Sequence, residues 1–239
     1  MMSLSIVFPA YDEESKIEND IRNAVDFLSS NDIKGEIIIV DDGSHDRTYQ
    51  IAAGLKDSIT TDIEIIRHDK NLGKGFAVRS GIMIANCDFI LYSDMGDIVP
   101  FNYALKGMKI LNEKNIEIAH GSRKLPESVI TKEQDSDRKV ASWIFNKLLL
   151  KFMNIPGHLT DTQCGFKIYK SEIAKELYKD LKVGGFLFEL EIIKRALKQH
   201  YKIAEFPVEW KCDRDSRISL SKTTPEVLKE IFYLKSLKI

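Results

Sequence analysis

Two carboxylates follow a short apolar run near the middle of the chain. The segment CDFILYSDMGDIVP, residues 87–100, places Asp94 and Asp97 after the apolar residues 89–91 and ends at Pro100. The run is typical of a buried strand, and ligands of open α/β sheets bind beyond the carboxyl ends of the strands. Mg2+ takes one or two protein carboxylates and fills its other positions with water and substrate phosphates. We therefore predict a metal-assisted site for a nucleoside diphosphate compound, with an aspartate-rich surface turn as the alternative for this segment alone.

Apolar runs alternate with helical patterns through the first half of the chain. Buried strands are predicted at residues 4–8, 36–40 and 62–67, and each is followed by a segment with apolar residues at helical spacing. Such alternation predicts a mostly parallel sheet flanked by helices and joined by right-handed crossovers. Polar residues then collect at one edge of the sheet, among them Asp41 after the second strand and Lys74 in NLGKG. Helix amino termini at that edge would bind anions such as phosphate.

The second half of the chain continues this pattern with longer connections. A strand is predicted at residues 116–120, a polar and mobile loop at 124–137, and a largely apolar helix at 138–154. A last strand at 203–210 contains Pro207, so we expect it at an edge of the sheet. The predicted fold class is α/β in a single domain.

We expect the domain to span residues 1–211 and a short tail to follow at 212–239. The tail begins as a polar loop and ends in a basic amphipathic helix, TPEVLKEIFYLKSLKI. Such a helix can lie on an anionic membrane surface, contact a partner, or dock on the core of its own domain. The sequence leaves membrane contact and docking equally open.

Composition limits the partners, the cysteine-based sites and the cellular location that we expect for the protein. Lys and Arg number 35 and Asp and Glu 36 among 239 residues, so overall charge does not indicate a nucleic-acid partner. The 3 cysteines lie far apart, which predicts neither a zinc site nor a disulfide framework. The amino terminus lacks the basic region of a signal peptide, and no apolar stretch approaches the roughly 18 to 20 residues of a spanning helix. We expect a cytoplasmic protein that touches a membrane without crossing it.

Several motifs taken together resemble the catalytic domain of glycosyltransferase family 2, which has the GT-A (Rossmann-like) fold. The particular likeness is to the polyprenyl-phosphate sugar transferases, the dolichyl-phosphate glucosyltransferase and mannosyltransferase group. It rests on VFPAYDEE, IIIVDDGSHDRT, NLGKGFAVRSGI, YSDMGDIVP, GSRK, DTQCGFKIY and GFLFELEII. DTQCGFK is the most discriminating of these and looks most like the dolichyl-phosphate β-glucosyltransferase branch. The resemblance implies that residues 1–211 are the catalytic domain.

The resemblance also implies a donor site. It implies that Asp41 reads the nucleobase, that Lys74 lies near the diphosphate and that Asp94 binds Mg2+ or Mn2+. The full set implied for the nucleotide sugar is Pro9, Tyr11, Glu13, Asp41, Lys74, Asp94 and Met95. One departure concerns the metal: the family pattern is Asp, any residue, Asp, but Gly96 stands at the third position here. Asp97 is the residue that could replace the missing ligand.

An acceptor phosphate would need cationic partners rather than a base. A phosphate monoester is largely dianionic near neutral pH, because its second pKa is about 6, and guanidinium groups bind it in a bidentate way. Arginines that form ordinary surface salt bridges are the alternative. The resemblance assigns the acceptor phosphate to Arg123, Arg138, Ser216 and Arg217. It places Asp161 near the acceptor, as a general base for a hydroxyl or an orienting group for a phosphate, with Gln163 and Lys167 in the same motif.

These patterns predict an inverting transferase. It would move a hexose from a nucleoside diphosphate sugar, of the UDP-glucose or GDP-mannose type, to a polyprenyl (dolichyl) phosphate at the cytoplasmic membrane face. Peripheral membrane contact is expected, with neither a nucleic-acid nor a protein partner. Two alternatives remain: a transferase of the same fold that acts on a glycan or other hydroxyl, and a catalytically silent protein that binds nucleotide sugars, which Gly96 suggests.

Overall fold

A seven-stranded sheet lies at the centre of the molecule. The computed structural model describes residues 2–113, 115–132, 151–211 and 225–237. In chain order the strands of these ranges are β1 (Ser3–Ala10), β2 (Lys34–Asp41), β3 (Asp62–Arg67), β4 (Phe89–Ser93), β5 (Ile118–Ser122), β6 (Val129–Lys132), β7 (Phe166–Lys170), β8 (Ile203–Pro207) and β9 (Glu209–Lys211). The helices are α1 (Ile17–Ser30), α2 (Thr48–Lys56), α3 (Lys74–Ile84), α4 (Tyr103–Glu113), α5 (Ser171–Tyr178), α6 (Phe188–Lys198) and α7 (Pro225–Ser236).

The order of the strands is β3-β2-β1-β4-β7-β5-β8. All neighbours in the sheet run parallel except β7, which is antiparallel to both β4 and β5. The mostly parallel sheet flanked by helices is therefore confirmed. Because β7 runs the other way, it begins at the edge where the parallel strands end, and this brings residues just before Phe166 to that edge.

Two apolar layers cover the faces of the sheet. Side chains alternate along β1, so that Leu4, Ile6 and Phe8 face helices α1, α2 and α4. Val7 faces the opposite layer, which contains α3, α5 and α6. A sheet buried on both faces explains the nearly continuous apolar runs of its strands. In the described ranges there is no helix with the length and apolarity needed to cross a membrane.

Two predicted segments differ from the structure. The segment 124–137 was expected to be a loop, yet its residues 129–132 form β6, which pairs with β9 in a small parallel sheet. The strand predicted at 203–210 is two strands, because β8 ends at Pro207; β8 is an edge strand, as the proline predicted. The predicted helix at 138–154 lies mostly outside the described residues.

Candidate active site

The carboxyl ends of the central strands carry the predicted polar residues. Asp41 ends β2, Asp94 follows β4 directly, and Arg123 follows β5 directly. Ser93, the last residue of β4, pairs with Phe166, the first residue of β7. The beginning of β7 therefore lies between Asp94 and Arg123. The sheet therefore brings Asp41, Asp94 and Arg123 to one edge.

Two neighbouring side chains contact the Asp94 carboxylate at this edge of the sheet. Lys74 Nζ lies 2.6 Å from Asp94 Oδ1, and the Tyr92 hydroxyl donates to the same oxygen over 2.9 Å. Burial alone would lower the pKa of Lys74, but the carboxylates of Asp94 and Glu189 outweigh it and raise that pKa. Lys74 is therefore cationic at neutral pH. The role of Lys74 toward a diphosphate remains a prediction.

Gly165, within DTQCGFK, explains why this motif is close to Asp94. The Asp94 amide donates to the Gly165 carbonyl over 2.8 Å. A Cβ atom at position 165 would lie 2.1 Å from the Asp94 carboxylate, and side chains cannot approach that closely. Only glycine leaves room for the carboxylate, so this glycine was a signal available in the sequence.

A buried ion pair lies behind Asp94. Lys167 pairs with Glu189 on α6 and also donates to the Cys164 carbonyl over 2.7 Å. Burial raises the pKa of Glu189, although the cations Lys167 and Lys74 oppose the shift. The amines of Lys167 and Lys74 lie 5.9 and 5.5 Å from the centre of the Tyr92 ring. Lys167 is thus a structural cation, 1% exposed, that organises the floor of the site.

The loop before α3 is fixed by Asp42, a residue that the sequence analysis did not select. The Leu72 and Gly73 amides donate to its carboxylate over 3.0 and 2.8 Å. Gly73 has a φ of 104°, and a Cβ there would lie 2.5 Å from the Gly184 carbonyl oxygen. These contacts determine where α3 begins and therefore where Lys74, its first residue, is held.

A cavity of about 410 Å³ lies beside the end of β2. Asp41 is fully buried next to it; the Ser44 amide donates to Asp41 Oδ1 over 3.0 Å, and Arg67 Nε lies 3.0 Å from Asp41 Oδ2. Arg67 also stacks 4.7 Å above the Tyr49 ring. The residues that line the cavity are Gly43, Ser44, His45, Arg67, His68 and Asp69. The role of Asp41 toward a nucleobase remains a prediction.

The end of β1 and the loop that follows it lie beside the cavity. Pro9 lies opposite Val40 in the register of β1 and β2. The Tyr11 hydroxyl lies 3.4 Å from His45 Nδ1, and the Glu13 amide donates to Thr48 over 2.8 Å. This loop therefore adjoins the cavity. Met95, also predicted to border the nucleotide sugar, is 5% exposed and packs in the core layer of α1, α2 and α4.

The residues around Asp94 fit a cation that arrives with a diphosphate. The ion pair and hydrogen bond described for this carboxylate both use Oδ1, and the side chain is 25% exposed. In the described ranges no group of three or more His, Cys, Asp or Glu side chains could hold a metal by itself. Mg2+ commonly takes only one or two carboxylates, with phosphates and water completing its shell. The role of Asp94 and Asp97 as the two carboxylates of such a site remains a prediction.

Asp20 holds the turn that contains Asp97. The Gly96 amide donates to Asp20 Oδ2 over 2.6 Å and the Asp97 amide donates to Oδ1 over 2.8 Å. Burial raises the pKa of Asp20 to about 6, while the two backbone hydrogen bonds lower it. The sequence analysis missed this residue. Its signal was an acid on the apolar face of α1, between Ile17 and Ile21, which are both fully buried.

Arg123 and Asp161 form a bidentate pair on the acceptor side. Arg123 Nε and Nη2 donate to the two oxygens of Asp161 over 2.6 and 2.7 Å, and the Arg123 amide adds a third bond of 3.0 Å. Burial would raise the pKa of Asp161, but Arg123 outweighs it and lowers that pKa. Glu205 accepts from the Asp161 amide over 2.8 Å, and Trp210 lies under the guanidinium at 5.2 Å.

Three of the predicted acceptor residues, Arg138, Ser216 and Arg217, lie outside the described residues, and their roles stay predictions. Gln163 is half-buried on the segment between Asp161 and β7.

Comparison with known proteins finds several relatives of this chain. Glycosyltransferase AglD of Haloferax volcanii is 30% identical over 92% of this chain, which spans 35% of that protein. Dolichyl-phosphate beta-glucosyltransferase of Dictyostelium discoideum is 28% identical over 97% of this chain and 73% of its own length. The human dolichyl-phosphate beta-glucosyltransferase is 31% identical over 87% of this chain and 67% of its own length.

Solved structures share the fold. Glucosyl-3-phosphoglycerate synthase of Mycobacterium tuberculosis, in complex with Mn2+, UDP-glucose and phosphoglyceric acid, superposes with a TM-score of 0.71. The two chains are 16% identical, and the superposition covers 100% of this chain and 81% of the synthase chain. The model of "Glycosyl transferase family 2" matches residues 5–178, which include every strand of the large sheet except β8. This chain therefore belongs to glycosyl transferase family 2.

Proposed function

We propose that the protein transfers glucose from UDP-glucose to dolichyl phosphate or a similar polyprenyl phosphate, with inversion and with Mg2+ or Mn2+. The names of the Dictyostelium and human relatives support the sugar and the acceptor. The UDP-glucose and Mn2+ complex of the mycobacterial synthase supports the donor and the metal. Within this structure, the state of Asp161 is the observation that carries the choice of a phosphate over a hydroxyl acceptor.

Asp161 is poorly suited to act as a base. Both of its oxygens accept hydrogen bonds from Arg123, it is 1% exposed, and its pKa is lowered. A hydroxyl acceptor needs a base that removes its proton during attack. A phosphate dianion needs none, because it is already ionised near neutral pH. The ion pair therefore favours a phosphate acceptor over a glycan hydroxyl.

Arg123 is suited to hold that phosphate. Asp161 fixes Nε and Nη2 of the guanidinium, while the side chain remains 26% exposed at the sheet edge. An arginine oriented in this way can direct its remaining N–H donors to a phosphate with little further loss of side-chain entropy. Asp161 would then orient Arg123, and the phosphate oxygen would attack the anomeric carbon directly.

Donor activation would rest on charges at the end of β4. A bound Mg2+ or Mn2+ would neutralise the diphosphate as it departs. Asp94 would hold that cation, and Lys74 would donate to a diphosphate oxygen from the start of α3. Direct displacement by the acceptor on the opposite face of the sugar inverts the anomeric configuration. Fixed charges aimed at the leaving group are the principal source of rate enhancement in this scheme.

Peripheral contact with a membrane is part of the proposal, and the exposed side of helix α7 supports it. Leu234 is buried, and Glu230 accepts from the Gly185 amide over 3.3 Å, so one side of the helix docks on the domain. On other sides Phe232 is 69% exposed and Leu228 46% exposed. Exposed large apolar side chains on an amphipathic helix are typical of contact with lipid. Docking and membrane contact therefore use different faces of the same helix.

A paired-acceptor assay tests the proposal. UDP-[14C]glucose and GDP-[14C]mannose are each incubated with Mn2+ and either dolichyl phosphate or dolichol, and label extracted into organic solvent is counted. We expect label only with UDP-glucose and dolichyl phosphate. Label with dolichol at a comparable rate would show that a hydroxyl suffices and would refute the proposal. Binding of UDP-glucose without transfer or hydrolysis would instead support the catalytically silent alternative.

A further inference from the structure

The turn after Asp94 has an unfavourable backbone that one side chain supports. Gly96 has a φ of 101° and Asp97 a φ of 50°. Glycine adopts a positive φ without strain, whereas a residue with a side chain adopts it at some cost, which is smaller for aspartate than for most residues. Successive amides of this turn both donate to Asp20, over 2.6 and 2.8 Å, one to each carboxylate oxygen. Hydrogen bonds to a carboxylate are among the stronger ones in proteins, so Asp20 can offset the cost of this conformation.

Asp20 attaches the turn to a rigid element. It lies in the first turn of α1 and is 2% exposed, and its neighbours Ile17 and Ile21 are fully buried in the core. The carboxylate therefore cannot move without moving the helix. Both of its oxygens accept backbone amides of the turn and the residue is 2% exposed, so its carboxylate serves the turn.

We propose that Asp20 is a positioning residue, which holds the turn of Gly96 and Asp97 so that the Asp97 carboxylate binds the cation of the donor diphosphate together with Asp94. The inference rests on the proposed function only for the presence of a metal and a nucleoside diphosphate. It accounts for the departure at Gly96: the second carboxylate stands one residue later, in a backbone conformation that needs external support. Without Asp20, the turn would relax and Asp97 would leave the site.

Binding of Mn2+ in the presence of UDP tests the inference without sugar transfer. The dissociation constant of Mn2+ is measured by electron paramagnetic resonance for the wild type and for Asp20→Asn, Asp97→Ala and the double variant. Asp26→Asn is the matched control, because Asp26 lies exposed on the same helix. UDP affinity without metal and the melting temperature without ligand are recorded for each variant.

We expect Asp20→Asn to weaken Mn2+ binding about tenfold, which is the lower end of what groups supporting a metal ligand contribute. Asp97→Ala should weaken it by a similar factor, and the double variant by no more than the worse single variant, because Asp20 acts through Asp97. UDP affinity without metal should change less than twofold, and Asp26→Asn should match the wild type.

Three results would overturn the inference. One is unchanged Mn2+ affinity in Asp97→Ala, a measurement that stands even if Asp20→Asn fails to fold. Another is additive losses in the double variant. The third is a wild type that binds UDP but no Mn2+. Transfer to a different acceptor would refute the proposed function but would leave these binding results, and hence this inference, in place.

Discussion

Removing the charge of Asp161 should destabilise the protein in a manner that depends on pH. In Asp161→Asn the buried side of Arg123 loses its countercharge, and breaking such a pair typically costs about 3 to 5 kcal/mol. The guanidinium is 26% exposed, so water compensates in part and we expect a loss near the lower value, about 3 kcal/mol at pH 7.

The sign of the pH dependence follows from the lowered pKa of Asp161. The pKa of Asp161 is near 3.8 in the unfolded state and lower in the folded state, so folding favours the ionised carboxylate. Its contribution to the free energy of unfolding is therefore complete above about pH 5 and is lost as the pH falls through 3.8 toward the lower pKa of the folded state, by about 1.4 kcal/mol for each unit of pKa difference. The cost of Asp161→Asn should accordingly shrink between pH 5 and pH 2.5.

Urea denaturation at pH 7, 5, 3.5 and 2.5 measures this difference, and Asp26→Asn serves as the control for an exposed carboxylate. The comparison uses the difference between variants, since other carboxylates titrate in the same range. A cost of Asp161→Asn that stays constant from pH 7 to pH 2.5, or that is below about 1 kcal/mol throughout, would contradict the assignment of a strong buried ion pair.

Three further substitutions test the organisation of the site. Lys167→Met should lower the free energy of unfolding by about 3 to 5 kcal/mol in urea denaturation, because Glu189 is left buried and unpaired. The double variant with Glu189→Gln should recover most of this loss. Additive losses would contradict the pairing. Gly165→Ala should abolish transfer, since the new Cβ would meet the Asp94 carboxylate at 2.1 Å; wild-type activity with an unchanged circular dichroism spectrum would exclude that close approach. Lys74→Ala should weaken UDP affinity in calorimetry by about tenfold, a loss of about 1.4 kcal/mol; unchanged affinity would mean that the amine serves only Asp94.

Much of the fold was predictable because it depends on local patterns. Apolar runs of strand length and helical spacing between them predicted the parallel order of β1 to β4, and hence that Asp41 and Asp94 lie at one edge. The antiparallel β7 was not predictable in this way, because its direction is decided by pairing with strands far away along the chain. The same holds for β6 in the segment expected to be a loop, whose Thr131 donates to Trp210 across 79 positions.

The candidate site shows the same limit at the level of side chains. Motif resemblance identified Lys74 and Arg123, whose roles depend on residue type and place in the sequence. Asp20 was not identified, because an acid in the first turn of a helix is ordinarily explained by the helix dipole. Only the structure shows that its carboxylate accepts two amides from a turn 76 and 77 residues away. Glu189 was missed for a similar reason, since its partner Lys167 lies 22 residues earlier.

The most direct test of the account measures glucose transfer to dolichyl phosphate in a single turnover, with Asp94→Asn beside the wild type and with EDTA or Mn2+ in each case. We expect EDTA to abolish wild-type transfer, Mn2+ to restore it, and Asp94→Asn to be slower by about 100-fold or more even with Mn2+. Transfer at the wild-type rate by Asp94→Asn in EDTA would contradict the claim that the carboxylate at the end of β4 binds a cation and, through it, the diphosphate.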